Sequence, residues 1–538
     1  MSIPAARILV LAIDAANPML LREWAKDGTL PTLHSLMSRG LVGNTRSIEG
    51  FYVGSTWPSF YTGVTPARHG FHYLVQLKPG TYDFYRPATE GIVKYDPFWS
   101  HLSRAGRRVA VLDVPLTRID PSLNGIQTVE WGGHDAVYGF HAMPPHVADT
   151  IQSRFGAYPA NSSCDGVRRT AAEYQAFVDG LIRGVRTKAN LTRHFLTQGG
   201  WDFFMQVFTE SHCVGHQCWH LHDVRHPAHN PSMAAAVGDP LRAVYSAIDT
   251  AIGDVIADAG DAAILVLVAH GMSYWYGAQF LLRDILFRLG VARPPTATAD
   301  RLGGFSMLSE SARWLWRRLP ASLRSRLAPV RQRLASSAGS SETLPTMIAN
   351  PRSSYCFPVN NGLAIGGIRL NLVGREPQGI LDSGGVAEAF CDQLTTDLLE
   401  IVDERTGNPL VRRVTRTASL YDGEHLNHLP DLLVEWNDEI PTGSTIVADG
   451  SGAMVRVKSP KIGLVEGVNQ YGRTGEHQSN GLFVAVGPNI KQSVLDREIS
   501  ILDFAPTFAK ALAVDFPRFD GRAIPELIEG GPFSGNRR

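Results

Sequence analysis

The chain has 18 histidines, and several of them crowd into one short stretch. His212 and His216 are four residues apart, so a helical turn would project both imidazoles from one face, where they could share a metal ion. Further polar side chains follow closely, namely Cys218, His220, His222, His226 and His229. The pattern predicts either a metal-binding pair or simply a polar, histidine-rich loop.

Two hydroxyl side chains, Ser55 and Thr56, stand just before a predicted helix start at Trp57-Pro58. Proline is tolerated in the first turn of a helix, where a backbone N–H has no partner to lose. A hydroxyl placed there faces free N–H groups and the positive end of the helix dipole, which favour a phosphate or an ionised hydroxyl. The alternative is that Ser55 or Thr56 is only the helix N-cap.

Short apolar runs must position these groups. Four runs of strand length adjoin chemically active side chains: 8–13 before Asp14, 202–208 before Glu210 and His212, 263–268 before His270, and 482–486 after His477. Runs that are apolar on both faces are typical of buried parallel strands. Asp14 as a helix N-cap and His270 as a hydrogen-bonded strand-end residue are the structural alternatives.

Helix-like stretches alternate with these strands, for example at 31–39 and 242–258, where apolar residues recur at three- and four-residue spacing. Strands alternating with helices predict an α/β fold with a mostly parallel sheet covered on both faces. Ligands of such sheets bind beyond the carboxyl ends of the strands.

Composition indicates an ordinary globular protein, with 44% hydrophobic and 19% charged residues. Lys plus Arg equals Asp plus Glu at 51 each, so nothing in the net charge indicates nucleic acid as a partner. The five cysteines have no paired spacing, and no apolar run approaches the roughly 20 residues that span a bilayer. With no signal-type N-terminus, we expect a cytoplasmic protein without a transmembrane segment. The oligomeric state stays open.

We expect one domain over residues 1–538, with cap or lid insertions at about 71–200 and 272–360. The stretch 301–333 combines arginines with Trp314 and Trp316. It could lie on a membrane surface or partner, but Pro320 and Pro329 interrupt any long amphipathic helix, which favours a helical lid. The tail 530–538 is predicted to be disordered.

These pieces together resemble the alkaline phosphatase superfamily and, within it, the type I phosphodiesterase/nucleotide pyrophosphatase branch. The resemblance is carried by the strand ending in Asp14, Thr56-Trp57-Pro58-Ser59-Phe60 with His69-Gly70, Glu210 to His216, Ala269-His270-Gly271, Gly475-Glu476-His477 with Gly481, and Asp503-Phe504-Ala505-Pro506-Thr507. Their order and spacing match over essentially the whole chain. The resemblance implies an alkaline-phosphatase-like fold and a metal-dependent hydrolase or transferase.

The substrate class implied is a small molecule with a phosphate ester: a phosphodiester, a nucleotide pyrophosphate or a monoester. The family holds two neighbouring metal ions, usually Zn²⁺, although imidazole ligands also suit other transition metals. Thr56 is implied as the nucleophile. The implied ligands are Asp14, Thr56 and His270 for one ion and His212, His216 and His477 for the other.

Two positions depart from the family pattern. His212 stands where an Asp is usual, so His212, His216 and His477 would form a three-histidine site with an open position. Ala269 also replaces an Asp, and a methyl group cannot coordinate. Two alternatives therefore stay open: a mononuclear enzyme that activates water at the three-histidine metal, with Thr56 only binding substrate, and a non-catalytic scaffold or ligand-binding protein that retains the fold.

From the sequence we expect one tightly held metal at the three-histidine site, because Asp14 is the only assigned carboxylate left to balance two neighbouring dications. The second site would then fill only with phosphate or substrate present. Ala269→Asp should raise the affinity for a second metal and increase generic phosphodiesterase activity. Metal content with anomalous scattering tests this, and two fully occupied metals in substrate-free wild-type protein would contradict the charge argument.

Overall fold

The computed structural model describes residues 6–87, 93, 95–134, 137, 139–160, 166, 168–295, 349–439, 454–468, 472–487, 492–516, 518–529 and 533. The predicted lid at 301–333 lies outside the described residues. So does the tail expected to be disordered at 530–538, apart from Phe533.

The strands follow one another along the described chain, and four of them cover the apolar runs read from the sequence. They are β1 Ala6–Ile13, β2 Leu41–Arg46, β3 Gln76–Leu77, β4 Phe84–Tyr85, β5 Val109–Leu112, β6 Gly125–Val129, β7 His141–Met143, β8 Trp201–Phe208, β9 Ala263–Val268, β10 Gly271–Tyr274, β11 Cys356–Val359, β12 Ile365–Leu370, β13 Val402–Asp403, β14 Val411–Arg416, β15 Leu432–Trp436, β16 Met454–Ser459, β17 Gly463–Val468, β18 Gly475–Gln478, β19 Asn480–Val486, β20 Ser493–Val494 and β21 Ile499–Ser500. The apolar runs are covered by β1, β8, β9 and β19.

The helices include both stretches predicted from helical spacing. They are α1 Pro18–Lys26, α2 Pro31–Arg39, α3 Thr56–Thr62, α4 Pro66–His69, α5 Phe98–Arg104, α6 Pro145–Phe155, α7 Ala171–Leu196, α8 Glu210–His222, α9 Pro231–Val237, α10 Pro240–Ala257, α11 Gln279–Arg288, α12 Gly385–Leu399, α13 Thr417–Leu420, α14 Phe504–Ala511 and α15 Pro525–Ile528. Among the helices of the described ranges, none has the length and apolar character needed to cross a bilayer.

The main sheet has ten strands, in the order β20-β2-β19-β9-β1-β8-β5-β6-β7, with β21 also pairing with β2. The central pairs β9–β1, β1–β8, β8–β5 and β5–β6 are all parallel. Strand β19 runs antiparallel to both β9 and β2, and β7 runs antiparallel to β6. The predicted α/β class with a mostly parallel sheet is confirmed.

Strand β1 shows why both faces of the sheet are covered. Successive side chains of a strand point to opposite faces. Ile8, Val10 and Ala12 enter an apolar cluster built with α3, α5 and α14, whereas Leu9, Leu11 and Ile13 enter a second cluster built with α7, α8 and α10. The continuous apolar run therefore reflects burial on both sides.

Residues 71–200, expected to be an insertion, supply β5, β6 and β7 to one side of the main sheet. Two smaller antiparallel sheets come from later in the chain, β11-β12-β15-β14 and β13-β16-β17. The domain and insertion boundaries stay predictions.

A buried ion pair fixes the start of α8, the helix that carries His212 and His216. Lys188 on α7 places its Nζ 3.2 Å from Oε1 of Glu210, the first residue of α8, and donates to Thr209 Oγ1 at 3.0 Å. The Tyr158 hydroxyl donates to the same Glu210 oxygen at 2.6 Å. Lys188 and Glu210 are both fully buried. Glu210 is therefore a structural anchor of α8.

Lys188→Met should destabilise the protein by about 3–5 kcal/mol, because it leaves the Glu210 carboxylate buried without its cation. The free energy of unfolding in urea measures this loss. Arg186→Met is the matched control, since Arg186 is exposed on the same helix and should change stability by less than about 0.5 kcal/mol. Equal losses in the two variants would contradict the role given to Lys188.

Candidate active site

Three neighbouring strands deliver polar side chains to one edge of the main sheet. Asp14 follows β1, His212 lies in the first turn of α8 after β8, and His270 follows β9. Because β8, β1 and β9 are parallel neighbours, their carboxyl ends meet at this edge. The structure therefore brings these three predicted site residues together.

His477 reaches the same edge by a separate route. After His270 the chain enters β10, which pairs antiparallel with β18 so that Met272 lies opposite His477. The ring centroid of His477 is 4.9 Å from that of His270 and 4.8 Å from that of His212. A Cβ on Gly475 would stand 2.3 Å from Gly215 O, so only glycine lets β18 approach α8 this closely.

The predicted pair His212 and His216 lies on one face of α8, with ring centroids 4.5 Å apart. Together with His477 they offer three ring nitrogens within 4.8 Å of one another. The His216 and His477 Nε2 atoms are 3.1 Å apart. Ligand atoms of a tetrahedral zinc with 2.0–2.1 Å bonds lie about 3.3 Å apart, so this spacing suits a shared cation.

The hydrogen bond of His216 sets its tautomer. Its Nδ1 lies 2.7 Å from Gly475 O, and because a carbonyl only accepts, Nδ1 carries the proton. The Nε2 lone pair then faces His477, as a metal ligand requires. In the described part of the chain His477 Nδ1 is buried without a hydrogen-bond partner. This donor set fits a divalent transition metal.

Burial also favours the neutral form of His212 and His477. It lowers the pKa of both well below the ordinary histidine value, and the neighbouring imidazoles and Arg473 lower both further. Neutral imidazole is the form that binds metals. These two side chains are therefore held in the form that a metal ligand needs.

Asp14 is buried, with 1% of its surface exposed, and is surrounded by donors. Its Oδ1 accepts from the Trp57 indole at 2.9 Å and lies 3.7 Å from His270 Nε2, and its Oδ2 lies 3.0 Å from His134 Nε2. Burial by itself raises the pKa of Asp14, but the hydrogen bond with His134 and the charges of His270 and His134 bring it below the ordinary value. Asp14 is thus held as a carboxylate.

Sequence reasoning missed His134. It lies beyond β6 in the loop Trp131-Gly132-Gly133-His134, and its ring stacks on His212 at 3.6 Å with an interplanar angle of 9°. Its carboxyl-end position after a strand was a usable signal, but the four intervening residues hid it. Arg473, whose Nη1 lies 3.5 Å from His216 Nε2, was also missed because it lies just before β18, outside every motif that the sequence analysis singled out.

Thr56 is the first residue of α3 and is 1% exposed. Its hydroxyl donates to Tyr52 O, one helical turn back, at 2.7 Å and also contacts the Ser47 hydroxyl. Its neighbours Gly54 and Trp57 line the cleft in front of Asp14, but Thr56 is not among the described residues that do. The hydroxyl is therefore engaged by Tyr52 and Ser47 beside the cleft.

The segment around His69 and Gly70 is hydrogen-bonded to the N-terminal part of α3. His69 Nδ1 accepts from Phe71 N at 3.1 Å, so its Nε2 carries the proton and donates to Ser59 Oγ at 2.9 Å. Burial lowers the pKa of His69 to about 3, which fixes this neutral form. Ser55 Oγ donates to Phe71 O at 3.0 Å. These bonds make Ser55 and His69 structural residues of the helix start.

The cleft is lined by both charged and apolar side chains. Its titratable and charged lining comprises Asp14, Asp113, Glu130, His134, His212, His270, Arg473 and His477. Its apolar lining includes Val53, Leu74, Val114 and Leu116. Such a cleft can hold a small molecule that carries both an anionic and an organic group.

The chain belongs to the type I phosphodiesterase/nucleotide pyrophosphatase family, whose model matches residues 8–285. This confirms the resemblance read from the sequence motifs. No curated protein matches the chain. The protein is accordingly a phosphoryl-transfer hydrolase of the phosphodiesterase and pyrophosphatase type.

Solved structures with a similar course of the chain come from the same superfamily. Phosphonoacetate hydrolase from Sinorhizobium meliloti 1021 is 14% identical with a TM-score of 0.49, and the match covers 95% of this chain and 96% of that one. Murine ectonucleotide pyrophosphatase/phosphodiesterase 5 is 11% identical with a TM-score of 0.42, and the match covers 96% of this chain and 97% of that one. The alkaline phosphatase PafA is 13% identical with a TM-score of 0.47, and the match covers 98% of this chain and 99% of that one. The family assignment rests on the sequence match, and the fold class on the sheet described above.

His477→Ala should lower bound metal by about one equivalent and abolish turnover, because losing one of three ligands leaves a cation poorly held. His212→Ala should have the same two effects, the loss of about one metal equivalent and the loss of turnover. Metal content of the purified protein measures the effect, with His34→Ala, an exposed histidine of α2, as the control. Wild-type metal content in either cluster variant would refute the three-histidine assignment.

Proposed function

We propose that this protein is a metal-dependent hydrolase or transferase of phosphate esters that uses Thr56 as its nucleophile. The observation that carries the proposal is the 3.1 Å approach of the His216 and His477 Nε2 atoms at the sheet edge that also holds Asp14 and His270. His212, His216 and His477 would hold one cation, and Asp14, His270 and Thr56 would face the other. Zn²⁺ suits the imidazole-rich set.

A divalent cation bound there supplies Lewis-acid chemistry, lowering the pKa of a hydroxyl and polarising a phosphoryl oxygen. Arg473 offers a permanent positive charge beside the three histidines, where it would pair with the anionic phosphate oxygens. The apolar lining of the cleft, with Val53, Leu74, Val114 and Leu116, would receive the organic group of the ester.

Thr56 requires one adjustment for attack. Its hydroxyl donates to the carbonyl of Tyr52, four residues earlier, which is one of the two side-chain rotamers that threonine populates in helices. Rotation about χ1 of Thr56 would break this bond and turn the hydroxyl toward the cleft. The hydroxyl proton must then leave before the oxygen attacks phosphorus.

The position of Thr56 also favours a second candidate. With its hydroxyl bonded to Tyr52 and Ser47, Thr56 could serve only to shape the cleft, while a water at the three-histidine site attacks the substrate. This is the mononuclear alternative, and the same three histidines support it. The role of Thr56 in turnover separates the two candidates.

Thr56→Ala should lower the turnover of an aryl phosphodiester by at least about 1,000-fold while substrate binding largely persists, because the variant lacks the attacking oxygen. Thr56→Ser keeps a hydroxyl and should retain most of the activity. Steady-state kinetics with bis(p-nitrophenyl) phosphate and p-nitrophenyl phosphate give both values. Near-normal turnover by Thr56→Ala would establish the water-attack alternative instead.

A further inference from the structure

The histidine-rich run read from the sequence contains side chains that the three-histidine site does not use. His220 lies near the C-terminal end of α8, and His226 and His229 lie in the loop before α9. His220 and His226 are each 3% exposed. Both rings contact Thr474, which directly follows Arg473. The run is therefore folded against the segment that brings Arg473 to the cleft.

His226 holds the backbone of Thr474. Its Nε2 lies 3.1 Å from Thr474 O, and because a carbonyl only accepts, Nε2 carries the proton. Its Nδ1 then accepts from Ala228 N at 3.0 Å. Thr474 O accepts a second hydrogen bond, from Trp275 N at 2.9 Å. Both ring nitrogens of His226 are thus engaged, and burial lowers its pKa to about 4, which favours the neutral ring.

His220 holds the side chain of the same threonine. The Thr474 hydroxyl lies 3.3 Å from His216 O, where it can only donate, so Thr474 Oγ1 accepts from His220 Nδ1 at 3.2 Å. His220 Nε2 then accepts from the Tyr174 hydroxyl on α7 at 3.4 Å. The Thr474 amide also donates to His216 O at 2.6 Å. Thr474 is therefore bonded at its amide, its carbonyl and its hydroxyl.

The residue before Arg473 is held from the same helix. The Gln217 side chain donates from Nε2 to Gly472 O at 3.4 Å and is bonded in turn to the buried Arg168 guanidinium. Arg168 packs over the Phe177 ring at 3.6 Å. The residues on both sides of Arg473 are thus attached to α8, the helix that carries two of the three site histidines.

This double attachment fixes the backbone that carries the Arg473 guanidinium. Its Nη1 lies 3.5 Å from His216 Nε2, and Arg473 lines the same cleft as Asp14. A guanidinium stays charged in proteins and offers paired donors that match two oxygens of a phosphate. Pairing of this kind requires placement within about 0.5 Å, so an arginine that recognises phosphate needs a fixed backbone.

We propose that His220 and His226 are positioning residues for phosphate recognition, because they hold Thr474 so that Arg473 meets the phosphate oxygens of a substrate beside the three histidines. This inference deepens the proposed function and rests on it for the use of Arg473 in substrate binding. The binding of a free phosphate ion tests the placement of Arg473 without any turnover.

Isothermal titration calorimetry of the full-length, metal-containing protein with inorganic phosphate provides the test. Arg473→Ala should weaken phosphate binding by about 10–100-fold, because it removes a charge-assisted pair, and His226→Leu by about 3–10-fold, because it removes one neutral hydrogen bond. His226→Gln keeps a donor and an acceptor and should stay within about two-fold of wild type. His146→Gln, which changes an exposed histidine of α6, is the control.

The double variant Arg473→Ala/His226→Leu separates a positioning role from a merely structural one. If His226 acts through Arg473, the double variant should bind phosphate no more weakly than Arg473→Ala alone. Additive losses would overturn the proposal, as would unchanged phosphate binding in Arg473→Ala or the lack of phosphate binding in wild type. Loss of bound metal in His226→Leu would also overturn it, because the effect would then arise at the three-histidine site.

Thr474→Val gives the same reading if His226→Leu does not fold. It removes the hydroxyl that joins His220 to His216 O, keeps the shape of the side chain, and should weaken phosphate binding by about 3–10-fold. The loss should disappear in the Arg473→Ala background. Wild-type phosphate affinity in Thr474→Val would count against the proposal.

Turnover separates this inference from the proposed function. The predicted pattern of phosphate affinities in a protein that does not hydrolyse bis(p-nitrophenyl) phosphate would refute the proposed function and leave the placement of Arg473 standing. Normal turnover with equal phosphate affinity in wild type and His226→Leu would refute the positioning role alone. If both hold, His226→Leu should raise KM by about 3–10-fold and leave kcat within about two-fold.

Discussion

The site depends on one buried charge. Asp14 is 1% exposed at the end of the central strand β1, and a carboxylate in that position must have donors around it. The Trp57 indole and the His134 and His270 imidazoles provide them, each from a different part of the chain. Burying this one charge therefore brings α3, the loop after β6 and the end of β9 together.

The sheet provides rigidity for this convergence. Strand β1 has parallel neighbours on both sides, and its alternate side chains enter two apolar clusters. The Lys188–Glu210 ion pair then fixes where α8 begins, and so the direction in which His212 and His216 project. Ligands that must stay within a few tenths of an ångström are thus mounted on elements that cannot easily shift.

The family assignment and the geometry point to the same chemistry, but this chain reaches it with a different set of donors. One imidazole, that of His212, stands where the family resemblance led us to expect a carboxylate, and the carboxylates of Asp113 and Glu130, which also line the cleft, come from strained positions after β5 and β6. A cation held by histidines would keep more positive charge than one held by carboxylates, which would favour anionic substrates.

The sequence by itself determined the features that depend on neighbours along the chain. Asp14 and His270 follow apolar strands directly, and His212 and His216 share a helical face, so their meeting at one sheet edge could be predicted from strand order and helical spacing. The tertiary structure decided the rest. His134 and Arg473 reach the site from loops whose course no local pattern encodes, and the Thr56 hydroxyl bonds to Tyr52 and Ser47 in an arrangement that only the folded chain shows. Local periodicity specifies which face a side chain occupies, whereas the distance between two loops depends on the hydrogen bonds and packing of the whole fold.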